Sequence, residues 1–460
     1  MASTGSLEPA PAERLFADRN VGLFVAFRVL FNARFYYPVF MILFLDFGIT
    51  LEQFGLLNAI WAATIVLLEV PSGALADLLG RRRLLVAAAG LMVVEMLLLC
   101  LVPVPSPWVF PALVLNRIVS GAAEAFASGA DEALAYDSLQ AAGQTQLWPR
   151  VLERLMQFGA GAAIIGMAAG SLLYDPGPLN ALATACGFST SLTPADTFRL
   201  PVWLTLCSAL AAVGVCLAMR EPARTSEPAA GILAPFRQTL ATGGWILGQP
   251  LVLVVILGGV VFDQPIRQLL VVSSEIFRQI QIPDPALGFV NAGSAAVGLL
   301  VASPLRRLVM QASPRRSFLF LAVMTFVGLI GTAAFIPWWG VGFFFMMTMA
   351  LRMLMFLQSH YLNQLTDSAQ RATVLSFRGL AVNVSYGLMS LAFAGAVAGA
   401  EASGLGGGEE TTMPAFRFVV GLLPWYFLVC SIGFAAWVRL AVRDRAVLTR
   451  QGGFGEQPGQ

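Results

Sequence analysis

Four ionisable side chains lie near the middle of long apolar stretches of the sequence. At about 1.5 Å of helix rise per residue, each lies roughly 18 to 20 Å from the cytoplasmic end predicted for its span. These residues are Arg34, Arg117, Asp263 and Arg352. Guanidinium groups offer bidentate donors to carboxylate and phosphate. We therefore predict that these four residues bind substrate in a midplane cavity biased toward anionic solutes. The alternative is that Arg34 pairs with Asp263.

A second set of residues could exchange protons. The 28 Lys+Arg residues are all arginine, and arginine stays protonated in proteins. We predict proton coupling at Glu124, Asp131 and His360. Glu124 lies at about the height of Arg28, so the two could pair, and a changing distance between them would switch the protonation of Glu124.

These residues and other buried acids could also have purely structural roles. His360 could be a solvated, inert residue, and Glu95 could be bonded between helices. Asp131 and Asp137 sit where ion pairs with loop arginines are expected. Asp263 and Glu95 are further candidates for carrying a proton.

The elements that hold these residues are predicted to be membrane-spanning helices. Of the 460 residues, 57% are hydrophobic and 12% charged, with a mean hydropathy of +0.76. No soluble domain has that composition, whereas twelve spans of roughly 20 residues fit comfortably. The predicted spans are 21 to 46, 52 to 75, 84 to 104, 108 to 133, 151 to 174, 199 to 219, 249 to 275, 286 to 309, 317 to 337, 340 to 364, 372 to 399 and 415 to 441.

The polar segments divide the chain into five parts. We expect an N-terminal tail (1–20), a six-helix bundle (21–219), a central loop (220–248), a second six-helix bundle (249–441) and a C-terminal tail (442–460). Cytoplasmic loops retain arginine, and the loops on one side carry 19 arginines by our placement, against Arg199, Arg278 and Arg417 on the other. Both termini are therefore predicted to be cytoplasmic.

One loop carries a complete motif. Gly73-Ala74-Leu75-Ala76-Asp77-Leu78-Leu79-Gly80-Arg81-Arg82-Arg83 fits G-x-L-x-D-x-x-G-R-[RK]-[RK]. This pattern resembles the signature loop of the major facilitator superfamily, and Arg117-Ile118-Val119-Ser120-Gly121 resembles the family's R-x-x-x-G motif. The segment from Glu69 to Gly73 and the span-four segment from Ser128 to Asp137 resemble a branch of bacterial permeases in that family.

The resemblance implies a fold and a set of gating residues. The expected fold class is an all-α membrane protein with twelve transmembrane helices in two pseudo-symmetric six-helix bundles, in which spans one, four, seven and ten line the cavity. The conformational gate would comprise Glu69, Gly73, Asp77, Gly80 and Arg81. In the family, the residue matching Arg117 is also credited with architecture or proton handling. Span five keeps the glycines of the family's proton-coupled drug antiporters but lacks their proline.

The functional expectation is a secondary active transporter that moves a small organic solute by alternating access. Proton-coupled export is the leading hypothesis, and uptake or facilitated transport of an organic anion is the alternative. A non-transporting membrane sensor is a distant alternative. The expected partners are the substrate, protons and the lipid bilayer of a bacterial inner membrane, with the chain acting as a monomer.

Other classes of function are disfavoured. A net charge of +2 gives no electrostatic footprint for nucleic acid. A single histidine and five cysteines without C-x-x-C spacing argue against a metal site. We expect no cofactor, and no enzyme, because no H-E-x-x-H or G-x-S-x-G motif with suitable partners occurs.

Overall fold

A computed structural model describes residues 19–189, 191–221, 243–366, 368–404 and 413–442, without the side chains of 74, 77, 299–310, 368–373 and 413. Within these ranges the chain is helical and contains no β-strand. The central loop from 222 to 242 and both tails beyond 19 and 442 lie outside the described residues.

Seventeen α-helices lie wholly within the described ranges. In chain order, α1 to α17 are Arg19–Phe31, Phe40–Asp46, Leu51–Leu79, Arg81–Leu101, Val109–Ala127, Ala130–Ala141, Trp148–Tyr174, Pro176–Ala185, Pro194–Thr197, Leu200–Ala218, Pro250–Val271, Ser273–Gln279, Leu287–Gln311, Pro314–Ala333, Gly340–Leu365, Ser368–Ala402 and Met413–Ala441.

Ten helices in the described ranges are long and apolar enough to cross a membrane. They match ten of the predicted spans. The predicted first span instead contains two shorter helices, α1 and α2. The predicted eighth span is helical as α13, and about half of its side chains lie outside the described residues.

Three spans predicted as continuous helices are interrupted. Span one breaks over residues 32–36, because Pro38 has no N–H to donate to the Arg34 carbonyl in a regular helix and its ring would clash with that carbonyl. Span four breaks at Gly129, whose φ of +76° ends the regular helix between α5 and α6. Span seven ends at Val271 and resumes as the short helix α12. Predicting these spans as continuous was wrong.

The helices of the two halves of the chain pack mainly among themselves. In the first half, α4 packs on α5 and α10, and α1 packs on α10 and α7. In the second half, α15 packs on α11 and α14, and α17 packs on α11 and α14. The halves meet along two seams, α3 against α16 and α7 against α13.

The bundle has two ends, which we name by their contents. The signature end carries the Gly80 turn, the C-terminal end of α6 and Arg220. The opposite end carries Asp46, Tyr174 and Asp284. At the opposite end the Arg199 guanidinium donates to the Val102 carbonyl over 2.5 Å.

Glycines allow the halves to touch closely along both seams. A Cβ added at Gly55 in α3 would collide with the Cβ of Ala394 in α16. A Cβ added at Gly288 in α13 would collide with the backbone oxygen of Met167 in α7. Both contacts lie nearer the opposite end, so the halves are closed on each other there.

Polar bonds reinforce this closure. The Ser171 hydroxyl donates to the Pro285 carbonyl over 2.9 Å. Arg278, which forms an ion pair with Asp284 at 2.6 Å, donates to the Tyr174 hydroxyl over 3.2 Å. That hydroxyl in turn donates to Asp46 in the first half. Any opening of this end must break these bonds between the halves.

Candidate functional site

A buried charge cluster lies in the middle of the first half. Nη1 of Arg34 donates to both carboxylate oxygens of Glu95, at 2.6 Å each. Nη2 of Arg117 lies 3.7 Å from Oε1 of the same carboxylate. Glu95 is fully buried (0% exposed). Two guanidinium groups therefore share one carboxylate, which leaves one excess positive charge.

Neighbouring polar groups hold this cluster in place. Asn116, beside Arg117 on α5, donates to the Glu95 backbone carbonyl over 2.7 Å. Its side-chain oxygen accepts from Nε and Nη2 of Arg117, at 2.9 and 2.7 Å. The Tyr36 hydroxyl lies 3.4 Å from both Arg34 and Glu95. The helix break in span one thus places Arg34 and Tyr36 against α4 and α5.

The cluster corrects one prediction and supports another. The hypothesis that Arg34 pairs with Asp263 is wrong, because Glu95 on the adjacent helix takes that role. The interpretation of Glu95 as a residue bonded between helices is confirmed. The sequence allowed this pairing to be considered. Glu95 lies 14 residues after Arg81, which is about 21 Å along a helix, and this depth is close to that of Arg34.

Both guanidinium groups retain free N–H donors. Among the described residues, Nη1 of Arg117 and Nε and Nη2 of Arg34 have no hydrogen-bond acceptor. The Arg117 guanidinium lies over the rings of Phe44, at 4.9 Å, and Phe40, at 5.6 Å. Free N–H donors that lie beside an excess positive charge can bind the oxygens of a carboxylate or phosphate.

The second half carries its own ion pair. Oδ1 of Asp263 accepts a hydrogen bond from Nη2 of Arg267, one helical turn later, at 2.9 Å, and Nε of Arg267 forms an ion pair with Oδ2 at 2.8 Å. The Arg267 guanidinium lies 5.5 Å from the ring centre of Tyr386, whose ring is 6.2 Å from that of Trp61 in the first half. Asp263 is therefore neutralised locally, at a position adjoining the α3–α16 seam.

Arg352 stands apart from the other predicted binding residues. It is exposed, and its guanidinium lies against Gly298 of α13. Within the described parts of the chain, no hydrogen bond or ion pair joins it to Arg34, Arg117 or Asp263. The structure thus brings together Arg34 and Arg117 and leaves Asp263 and Arg352 as separate groups of the second half.

The acids of span four divide into paired and unpaired ones. Arg28 binds Asp131, with Nε to Oδ2 at 2.7 Å, and Glu132, with Nη2 to Oε1 at 2.9 Å. The predicted pairing of Arg28 with Glu124 is therefore wrong, because α6 restarts after the break and turns two other acids toward α1. Glu124 has no ion-pair partner among the described residues and lies within electrostatic range of Glu69 and Tyr37.

His360 contacts residues of its own helix. Its ring stacks on Phe356 at 6.1 Å, with an 8° angle between the ring planes, and its Nε2 lies 3.3 Å from the Gln364 amide. No acid bonds to it in the described part of the chain. Proton coupling at His360 stays a prediction.

The signature loop is fastened to neighbouring helices of the first half. Gly80 adopts a φ of +101° between α3 and α4. The first two N–H groups of α4, of Arg81 and Arg82, donate to the carboxylate of Glu221 at 2.9 and 2.8 Å, which caps the helix. The Arg81 guanidinium pairs with Asp137, so the expected ion pair between Asp137 and a loop arginine is confirmed.

The other predicted gating residues are described in part. Gly73 is exposed on α3, and the side chain of Asp77 lies outside the described residues. Oε2 of Glu69 is buried without a hydrogen-bond partner, and its other oxygen faces Gly379 of α16. Glu69 therefore lies at the seam between the halves. Glu221 escaped the sequence interpretation because it adjoins the loop only in three dimensions.

The described part of the structure also contains cavities that residues outside the buried cluster line. One of about 310 Å³ lies between α1 and α7 and is lined by residues that include Arg28, Asn32 and Gly159. The other, of about 690 Å³, lies at the opposite end beside Tyr174 and Arg278. In the described ranges, no group of three or more His, Cys, Asp or Glu side chains is placed to hold a metal ion.

Comparisons with known proteins give a family and a fold. The model of the Major Facilitator Superfamily matches residues 22–390. Among solved structures, a bacterial homologue of the human lysosomal transporter Spinster, in an inward-facing and occupied conformation, is 15% identical with a TM-score of 0.67, over 97% of this chain and 99% of that one. The nucleoside transporter NupG is 10% identical with a TM-score of 0.67, over 91% and 98%.

A D-xylose-proton symporter is 12% identical with a TM-score of 0.63, over 97% of this chain and 99% of that one. No curated protein matches the chain. At these identities the likeness to solved structures shows a shared fold.

Proposed function

Because the chain belongs to the Major Facilitator Superfamily, we propose that it moves a small organic anion across a membrane by alternating access around the Arg34–Glu95–Arg117 cluster. Membership makes it an integral membrane transporter, not an enzyme. The observation that carries the anion proposal is the sharing of one carboxylate by two guanidinium groups with free donors. An anion would supply the missing negative charge and accept those hydrogen bonds.

Glu124 is the proposed proton carrier. It is unpaired among the described residues, and it lies within electrostatic range of Tyr37, which is itself in range of Arg34. An anion bound near it repels a second negative charge, so it favours the protonated form of Glu124. By reciprocity, a proton on Glu124 favours binding of the anion.

This coupling favours uptake of an anion together with a proton. Of the two transport hypotheses from the sequence, it favours uptake of an organic anion. Export in exchange for protons is the alternative that the test below can detect. The 21–219 and 249–441 bundles would be the two moving bodies, and the Asp263–Arg267 pair and Arg352 would form the second half's side of the pathway.

Transport of labelled carboxylates into proteoliposomes with an imposed pH gradient tests the proposal. We expect an acidic exterior to drive accumulation inside, and Glu124→Gln to abolish the response to the gradient. The matched control is Glu153→Gln, which removes an exposed carboxylate. Accumulation driven by an acidic interior would instead support export by exchange and contradict cotransport.

Measurements of the affinity for the same carboxylates test the role of the arginines. Arg34→Ala should weaken anion binding roughly 10- to 100-fold, since each hydrogen bond to a charged group contributes about 1.5 to 3 kcal/mol. Arg352→Ala should weaken it if that residue completes the pathway, whereas Arg417→Ala, an exposed arginine, should have no effect. Unchanged affinity in both Arg34→Ala and Arg352→Ala would contradict an anion site.

We also propose that the signature end, and with it both termini, faces the cytoplasm of a bacterial cell. Cys186, an exposed residue at the opposite end of the bundle, should then react with a membrane-impermeant maleimide in intact cells. The Cys186→Ser variant should lose this labelling. Labelling of Cys186 only after the cells are permeabilised would reverse the proposed orientation.

A further inference from the structure

Tyr37 is unusually exposed for a residue in the middle of a predicted span. Of its surface, 52% is accessible, whereas that of the preceding Tyr36 is 1% accessible. The difference arises from the helix break over residues 32–36, after which the chain restarts as a short turn at Tyr37. The break thus directs one of two adjacent tyrosines into the core and the other into an open space.

Charged groups of the first half lie near Tyr37. The Tyr37 phenol interacts electrostatically with Arg34, Glu124 and Glu95, groups carried by three different spans. The turn that begins at Tyr37 also contacts α7 and α13, the two helices of one seam. Tyr37 therefore lies beside the α7–α13 seam and near charged groups of the first half.

The ring is held firmly while its hydroxyl is free. It makes T-shaped contacts with Tyr36, at 5.3 Å between ring centres and 84° between planes, and with Phe40, at 6.1 Å and 75°. Phe40 also packs under the Arg117 guanidinium. Among the described residues the Tyr37 hydroxyl has no hydrogen-bond partner. A half-accessible ring that packs against two other aromatic rings offers a planar surface to an aromatic solute.

We infer that Tyr37 is a specificity-determining residue that stacks against a planar aromatic ring of the substrate, while Arg34 and Arg117 bind the anionic group. This inference rests on the proposed function and narrows the substrate class to aromatic carboxylates or similarly planar anions. An aromatic contact of this kind favours the planar ligand by roughly 3- to 10-fold.

Competition by benzoate and by cyclohexanecarboxylate tests the inference, because the two acids have the same charge and similar size but differ in planarity. In the wild-type protein benzoate should compete roughly 3- to 10-fold more strongly. Tyr37→Ala should remove this preference while leaving cyclohexanecarboxylate nearly unchanged, and Tyr37→Phe should keep it. Tyr136→Ala, which removes another exposed tyrosine, serves as the control.

The outcomes separate the two proposals. An equal loss for both acids in Tyr37→Ala, or a Tyr37→Phe variant that behaves like Tyr37→Ala, would overturn the stacking role while the anion site stands. Wild-type protein that binds and transports neither acid, nor any other carboxylate, would overturn the proposed function and the stacking role with it.

Discussion

Replacing Glu95 with glutamine should destabilise the protein by about 3 to 5 kcal/mol, because it leaves two guanidinium groups in the core without their counter-charge. Glu95 is fully buried, and the side chains of Arg34 and Arg117 are only 4% and 5% exposed. Water therefore screens these charges poorly. The measurement is the free energy of unfolding in detergent, or the shift in Tm where unfolding is irreversible.

Two further variants separate charge from packing. Glu153→Gln changes the same functional group on the exposed surface of α7 and should shift stability by less than about 0.5 kcal/mol. The double variant Glu95→Gln with Arg34→Gln removes one of the uncompensated charges and should recover part of the loss. A Glu95→Gln protein as stable as the wild type would show that the carboxylate does not hold the cluster together.

Adding one methyl group at Gly288 should open the opposite end of the molecule. The new Cβ of Gly288→Ala would collide with the Met167 backbone oxygen and the Ser171 hydroxyl across the α7–α13 seam, and backbone has little room to move. Overpacking of this kind costs about 1 to 3 kcal/mol, which corresponds to a shift of roughly 5- to 150-fold in the balance between two conformations.

Spin labels at Leu182 and Trp339 report this change, since both residues are exposed at the opposite end, one in each half. Cys186 and Cys207, the exposed native cysteines, would be replaced first. Gly288→Ala should lengthen the distance between the labels, whereas Gly342→Ala, which meets nothing within 4 Å, should not. An unchanged distance in Gly288→Ala would mean that the seam is not a moving contact.

Much of the fold could be predicted from the sequence because hydropathy reports membrane spans directly. A run of roughly 20 apolar residues has few alternatives to a spanning helix. The signature motif predicted the family, and the match to the family model confirms it. The breaks in spans one and four were missed, although Pro38 and Gly129 both carry known helix-breaking chemistry.

The pairing of charges was harder to predict. Asp263 and Arg267 stand four residues apart, a spacing that places them on one helix face, so their ion pair was visible in the sequence. The Arg34–Glu95 pair was not, since it joins α4 to the broken segment after α1. Depth along a helix places both groups at one height, but only the rotation of each helix decides which of them meet.

The exposure of Tyr37 lay beyond sequence reasoning for the same reason. Tyr36 and Tyr37 are identical in type and adjacent, and a regular helix would place them about 100° apart around its axis. The observed turn after the break decides which of the two is exposed. Local propensity cannot supply that orientation because it depends on contacts with α7 and α13.

Paired distance measurements on the wild-type protein test the central claim of alternating access most directly. Labels at Leu182 and Trp339 report the opposite end, and labels at Ala142 and Gln311, both exposed, report the signature end. Addition of a transported anion at acidic pH should change the two distances in opposite directions, one lengthening as the other shortens. Two distances that stay fixed, or that lengthen together, would contradict a mechanism in which the halves rock about a central anion site.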